Sequence, residues 1–228
     1  MCSSDLSGMD ALGAVCATDW MRRHTIVFWD FDGVIKESVA AKTEAFAQLF
    51  RPFGGDVAKR VREHHERNGG MSRFEKIPIY LQWAGIPPSA AQVSRYCEAF
   101  ATAVRHSVLD SEWVPGAREY LQANCNRQRF VLVSATPQAE IEDVISSLGI
   151  VSCFSDVFGA PTTKVDGVNA VLSQAGCARG RALLIGDSEA DYSAALVAGV
   201  DFLLRQTALN RALQARYSGP QCENFLHG

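Results

Sequence analysis

Residues 25–34 read Thr-Ile-Val-Phe-Trp-Asp-Phe-Asp-Gly-Val. The run from Ile26 to Trp29 is apolar, β-branched and aromatic, as a strand buried on both faces should be. Two carboxylates close it. Asp30 and Asp32 lie two apart in extended chain, so their side chains project to one side and face one pocket. Their mutual repulsion calls for a cation or a shared proton. A calcium loop also begins Asp-x-Asp but needs Gly at its sixth position and Glu at its twelfth; those positions hold Ile35 and Ala41, so the calcium reading fails. The plain alternative is that acidic residues at a strand exit simply form the turn.

Working outward, Arg129–Ser134 and Ala182–Asp187 repeat the buried-strand pattern, and 154–159 and 200–205 are weaker candidates. Helical segments separate them. Over 137–148, Pro137 follows Thr136 at an expected first helical position, Ile141, Val144, Ile145 and Leu148 share a face, and Gly149 stops the helix. Similar helices fit 164–175 and 188–198, ended by Gly176 and Gly199. Strands alternating with helices predict an α/β fold: a Rossmann-like parallel sheet with helices on both faces. About a hundred residues between the first two strands read as almost wholly helical, too long for a crossover. Val39, Phe46, Leu49 and Phe50 mark one amphipathic face, and Val93, Tyr96, Cys97, Phe100 and Val104 mark another. Ser72 and Glu75 form a capping-box pattern ahead of a third helix, which Pro78 is expected to kink or shorten. The expected organisation is a loose arm over 1–23, a core over 24–35 and 114–228, and an inserted helical domain over 36–113.

Composition narrows the classes. Of 228 residues, 47% are hydrophobic and 21% charged, an ordinary globular balance that argues against disorder. With 22 basic and 25 acidic residues the net charge is −3, which does not suit a protein built to neutralise nucleic-acid phosphates. The seven cysteines, at positions 2, 16, 97, 125, 153, 177 and 222, are odd in number, scattered and free of any Cys-x-x-Cys pair, so neither a disulfide framework nor a zinc site is expected. No apolar run approaches the ~20 residues of a membrane span, and Asp5, Asp10 and Asp19 interrupt the first stretch. These features predict a soluble protein of a reducing, cytoplasmic compartment.

Three further polar clusters stand at strand ends, where open parallel sheets place ligands. In Ser134-Ala135-Thr136-Pro137, hydroxyls precede a helix N-terminus suited to an oxyanion; Thr136 reads as an N-cap and Ser134 as the better phosphate donor. Lys164 precedes another helix, where a lone lysine is ordinarily a surface charge. In Gly186-Asp187-Ser188-Glu189-Ala190-Asp191, Asp187 and Asp191 lie one helical turn apart and can face a hard cation, with Ser188 capping as the plain alternative.

Taken together, DFDGV, VLVSATP, Lys164 and GDSEAD followed by YSAALVAGV resemble, over about residues 25–205, the four ordered motifs of the haloacid dehalogenase (HAD) superfamily with a helical cap. The resemblance implies that Asp30 is a nucleophile forming an aspartyl phosphate and that Asp32 protonates the leaving oxygen and then activates water. It implies that Ser134 and Lys164 hold the transferring phosphoryl group. Magnesium would bind Asp30, the Asp32 main-chain carbonyl and Asp187, with Asp191 supporting it directly or through water; an oxygen-only shell suits that ion. The family's dehalogenases and phosphonoacetaldehyde hydrolases look different at the position of Asp32, which favours phosphate esters.

Gly69-Gly70-Met71-Ser72-Arg73 resembles the cap loop of phosphoglycolate phosphatases and β-phosphoglucomutases, which puts Gly70, Ser72 and Arg73, with Ala135 of the core, at the substrate. Arg73 would read an anionic substituent, or merely occupy the first turn of its helix. Where the mutases carry a histidine, this chain has Lys42, so a hydrolase is preferred to a mutase. His64 and His65 point about 100° apart on a helix and read as a solvated surface among Lys59, Arg60, Arg62 and Arg67. The expected activity is magnesium-dependent hydrolysis of a small phosphorylated metabolite of the phosphoglycolate or sugar-phosphate type. The alternatives are a phosphomutase and a non-catalytic phosphometabolite-binding protein. The expected state is a monomer or homodimer with no nucleic-acid or membrane partner.

Overall fold

A computed structural model describes residues 17–175 and 179–226. Six parallel strands form one sheet in the order β3-β2-β1-β4-β5-β6: β1 (Ile26–Trp29), β2 (Arg129–Pro137), β3 (Asp156–Ala160), β4 (Ala182–Gly186), β5 (Asp201–Arg205) and β6 (Gln221–Cys222). The order reverses direction at β1, so the crevice beyond the ends of β1 and its neighbours is the topological ligand site. The period of two sorts β1 between two cores. Val27 and Trp29 pack with Phe130, Leu132, Leu183 and Ile185 on one face, while Ile26 and Phe28 pack with Val131, Val133, Leu184 and Leu204 on the other.

The helices are α1 (Ala17–Met21), α2 (Val39–Phe50), α3 (Gly55–Arg67), α4 (Arg73–Trp83), α5 (Ala90–Asp110), α6 (Ala117–Asn124), α7 (Gln138–Ser147), α8 (Lys164–Ala175), α9 (Glu189–Ala198) and α10 (Arg211–Arg216). Helices α2 to α5 form the long insert between β1 and β2. Its centre is aromatic: Phe46 stacks on Phe100 with centroids 3.8 Å apart and meets Tyr80 edge-on at 5.5 Å. Phe46, Phe50, Tyr80, Phe100 and Val104 belong to the same apolar cluster as Trp29 and Leu132 of the sheet. The two passages of chain between sheet and insert meet at an antiparallel bridge, Lys36 to Trp113. Lys36 Nζ donates to the Leu109 carbonyl at 3.1 Å and lies 4.8 Å from the Trp113 ring centre. Glu37, next along, makes a two-point ion pair with Arg205 at the end of β5.

Several local expectations change. Of the expected arm, residues 1–16 lie outside the described residues; Ala17–Met21 are helical and fixed, because Gln128 Nε2 donates to the carbonyls of Met21 and His24 at 2.8 and 2.7 Å. The stop at Gly176 also lies outside the described residues. Thr136 does not cap α7: β2 runs on to Pro137, which takes the N-cap position itself. Helix α4 continues through Pro78 to Trp83. The N–H missing at Pro78, midway along the helix, is offset by burial of Ile77, Tyr80 and Leu81. Among the described residues Cys97, Cys125, Cys153 and Cys222 are free thiols, and no helix is long and apolar enough to cross a membrane.

Candidate active site

Asp30 follows the last residue of β1, and its N–H donates to the Ile185 carbonyl of β4 at 3.0 Å, so the sheet itself aims this carboxylate. Three acidic groups converge there: one oxygen each of Asp30, Asp187 and Asp191 lies within 4.8 Å of the others. Asp187 follows β4, and Asp191 is the third residue of α9. Asp191 closes a capping box, accepting from the Ser188 N–H at 3.1 Å and the Ser188 hydroxyl at 2.5 Å. The cap and the acidic cluster are therefore one construction. Gly33, at φ +74°, lets the chain turn against Asp187, since any Cβ there would collide with that carboxylate.

Lys164 is the cation of this floor. Buried at the start of α8, its Nζ lies 2.8 Å from Asp30 Oδ1 and also pairs with Asp191. Burial opposes its charge, yet Asp191 and Asp30 outweigh burial and raise its pKa. One lysine does not balance three carboxylates. Burial, and then the Asp191 charge, push Asp30 up to about 7. Burial and then Asp30 raise Asp187 well above the ordinary carboxylate range. An all-oxygen set with Asp30 and Asp191 buried, Asp187 partly exposed and negative charge in excess fits a hard divalent cation, which would restore the ionised forms. Among the described residues no histidine or cysteine joins the set.

Asp32 opens on the same cavity but stands apart from that trio. Its Oδ1 accepts from Ser38 Oγ and its Oδ2 from Lys42 Nζ, both at 2.5 Å. Burial alone would raise it; Lys42 and Ser38 outweigh burial and lower it. Lys42 also donates to Thr136 Oγ1 at 2.9 Å, which is the use this structure makes of that hydroxyl. Ser134 is buried within β2, three residues before its end and not at the strand tip as expected, and its Oγ accepts the Thr136 N–H at 3.1 Å.

The cavity holds about 200 Å³, with Asp30, Asp187 and Lys164 below and residues of the insert above. Ala135 and Gly70 line it, while Ser72 faces its outer continuation beside Lys164 and caps α4 through the capping box with Glu75. Gly70 presses on the start of α9: an added Cβ would lie 2.7 Å from Ser188 Oγ and closer still to Ala190. Arg73 lines the cavity but is committed elsewhere. Its guanidinium is buried, lies 4.7 Å from the Phe100 ring centre and makes a two-point pair with Glu140 of α7 at 3.0 and 2.6 Å.

The histidine expectation needs correction. His65 is buried, with its ring 4.9 Å from that of Phe46 and its Nδ1 2.9 Å from Lys76 Nζ. His64 is partly buried and meets the Tyr80 hydroxyl at 3.1 Å. A basic run conceals this because α3 turns only Val61 and His65 fully inward. Sequence reasoning also missed Lys42 as the partner of Asp32, and Lys76 altogether. The available signal for Lys76 was its spacing, three residues from Arg73 on one helix face.

The model of the family described as haloacid dehalogenase-like hydrolase matches residues 27–204. No curated protein matches in sequence. Similar solved structures include a mutant of CbbY from Rhodobacter sphaeroides in complex with xylulose-(1,5)bisphosphate, at 15% identity and TM-score 0.72, covering 89% of this chain and 95% of that one. The β-phosphoglucomutase of Clostridium difficile is 18% identical at TM-score 0.69, covering 89% of this chain and 92% of that one. A predicted phosphoglycolate phosphatase from Haemophilus somnus is 16% identical at TM-score 0.69, covering 89% and 95%. At such identities the likeness establishes the fold.

Proposed function

The chain belongs to the haloacid dehalogenase-like hydrolase family, and from that premise we propose that it is a magnesium-dependent phosphatase of small phosphorylated metabolites, with helices α2 to α5 as its cap. The observation that carries this reading is the Asp30 carboxylate, aimed by β1, 2.8 Å from Lys164 and converging with Asp187 and Asp191 on the cavity floor.

Asp30 attacks phosphorus in line with the departing alkoxide, so the P–O bond to the leaving group breaks as an aspartyl phosphate forms. Lys164 neutralises charge on the phosphoryl oxygens, and Ser134 and Ala135 of β2 flank them, the electrostatic task that dominates in a loose transition state. Asp32 serves the leaving oxygen and then takes a proton from the water that hydrolyses the acyl phosphate. Held ionised by Lys42 and Ser38, it is set for the second task; the first requires the Lys42 contact to loosen. Asp30, Asp187 and Asp191, with the Asp32 carbonyl, would hold magnesium, which supplies positive charge that lets an anionic nucleophile approach an anionic phosphoryl group.

Asp30→Asn is expected to lower phosphate release from an aryl phosphate by at least ~1,000-fold while leaving the fold intact, and chelation of divalent ions should have a comparable effect. Undiminished turnover of Asp30→Asn would reject the mechanism. Product analysis with glucose 1-phosphate separates hydrolysis, which yields inorganic phosphate, from isomerisation. Lys42, in direct contact with Asp32, favours hydrolysis, because the mutases carry a histidine there.

A further inference from the structure

The three carboxylates of the floor are held unevenly. Lys164 and Ser188 fix Asp191, and Lys164 Nζ stands 2.8 Å from Asp30. Among the described residues no hydrogen bond or ion pair reaches the Asp187 carboxylate, although Asp30 and Asp191 lie beside it. Like charges would turn such a group away, so its backbone must hold it in place.

What holds that backbone is a side chain outside the four strand-end clusters. Asn210, buried in the loop after β5, donates through its Nδ2 to two main-chain carbonyls, those of Asp187 and Arg205, each at 2.7 Å. Gly186 of β4 pairs with Leu204 of β5, so Asp187 and Arg205 are the next residues beyond the last rung of that ladder. One amide thus extends the sheet by a step and ties the chain carrying Asp187 to its neighbour.

The amide's own orientation is determined. Its Oδ1 accepts the Thr207 N–H at 2.9 Å and Gln214 Nε2 at 2.6 Å, so its two donor and two acceptor positions are all filled. Flipped, it would set its oxygen against two carbonyls. Gln221 Nε2 of β6 donates to the Gln214 carbonyl at 3.1 Å, which roots this network in the sheet edge. Asn210 also stands at the N-cap position of α10 but makes no side-chain cap bond there. A residue type suited to starting a helix is spent on the floor instead. On the other side, Gly33 leaves the Asp187 carboxylate the space a Cβ would take.

We propose that Asn210 is the positioning residue of the acidic floor: by clamping the Asp187 main chain to the end of β5 it keeps the Asp187 carboxylate beside Asp30 and Asp191 and so sets the floor's affinity for a divalent ion. This rests on the reading of the floor as the metal site of a phosphatase. Asn210 acts through Asp187.

Asn210→Leu keeps the volume and removes all four bonds. Gln214→Leu is its control, because it weakens the same network but leaves the two bonds to Asp187 and Arg205. Calorimetric titration with magnesium is expected to show Kd raised about 10- to 100-fold in Asn210→Leu and within about threefold of wild type in Gln214→Leu. Hydrolysis of an aryl phosphate by Asn210→Leu should fall at limiting magnesium and recover at saturating magnesium. A merely structural role would lower Tm without moving the Kd of the folded protein. If Asn210→Leu folds poorly, Asn210→Ser, too short to reach both carbonyls, should raise Kd in the same direction. An unchanged Kd in a folded Asn210 variant, or an equal rise in Gln214→Leu, overturns the proposal. If the wild type neither binds magnesium nor releases phosphate, the phosphatase reading itself has failed. Metal-free crystal structures of wild type and variant then decide on the clamp: Asp187 displaced by more than about 0.5 Å supports it, and Asp187 unmoved rejects it.

Discussion

On the floor of the cavity Lys164 is buried against Asp30 and Asp191, and its charge is favoured; on the roof Lys76 is at least as buried, meets the His65 imidazole and the face of the Phe46 ring, and its charge is disfavoured. Burial is thus shared by the two lysines, and their partners decide the sign. The floor is built around groups that need one another whether or not a substrate is present. The roof keeps a cation with no carboxylate partner among the described residues. Equal truncation of the two should therefore move stability in opposite directions.

The largest expected effect is at Lys164. Lys164→Met leaves buried carboxylates without their cation and should destabilise the divalent-free protein by about 3–5 kcal/mol, read by urea unfolding; a loss below about 1 kcal/mol would mean that the floor does not depend on the pair. At the roof, Lys76→Met should stabilise the fold, by on the order of 2–4 kcal/mol near neutral pH. The sign follows from proton counting. Between the folded value of about 7 and the ordinary 10.5, the unfolded chain holds the Lys76 proton and the folded one does not, so wild-type stability rises with pH across that window. The variant's advantage should be full at and below pH 7 and fade towards pH 10.5 in parallel denaturation curves. A destabilised variant over the whole range would break the contrast.

Smaller effects sharpen it. Glu140→Gln strips Arg73 of its partner; because Glu140 is 37% exposed while Arg73 is buried, the expected loss is about 1–2 kcal/mol, seen as a lower Tm. Gly70→Ala should leave Tm nearly unchanged but lower kcat/KM about tenfold, because the added methyl forces the loop away from Ser188 and Ala190. Steady-state kinetics beside a melting curve would show whether the loss is confined to activity.

Legibility in the sequence followed the range of the interaction. The run before Asp30, the capping pattern of Ser188 and Asp191, and the left-handed Gly199 that ends α9 are local, and the residues name them directly. Lys164 could be placed only by assembling four clusters in order. Glu140 with Arg73, Lys42 with Thr136 and His65 with Lys76 join residues 67, 94 and 11 positions apart, and no local rule marks such partners. The basic run of α3 concealed a buried imidazole for the same reason: its neighbours in sequence are not its neighbours in space. Short elements escaped as well. The two residues of β6 and the six of α10 carry too little periodicity to be read.

The apolar cluster that runs without interruption from Phe46 and Phe100 to Trp29 and Leu132 carries a thermodynamic consequence for the whole chain. Sheet and insert share one reservoir of buried area, and Lys36, Trp113, Glu37 and Arg205 tie the passages between them. Melting should accordingly be a single cooperative event, and the helices cut out as a separate peptide would expose the face they now hide and lose their shape.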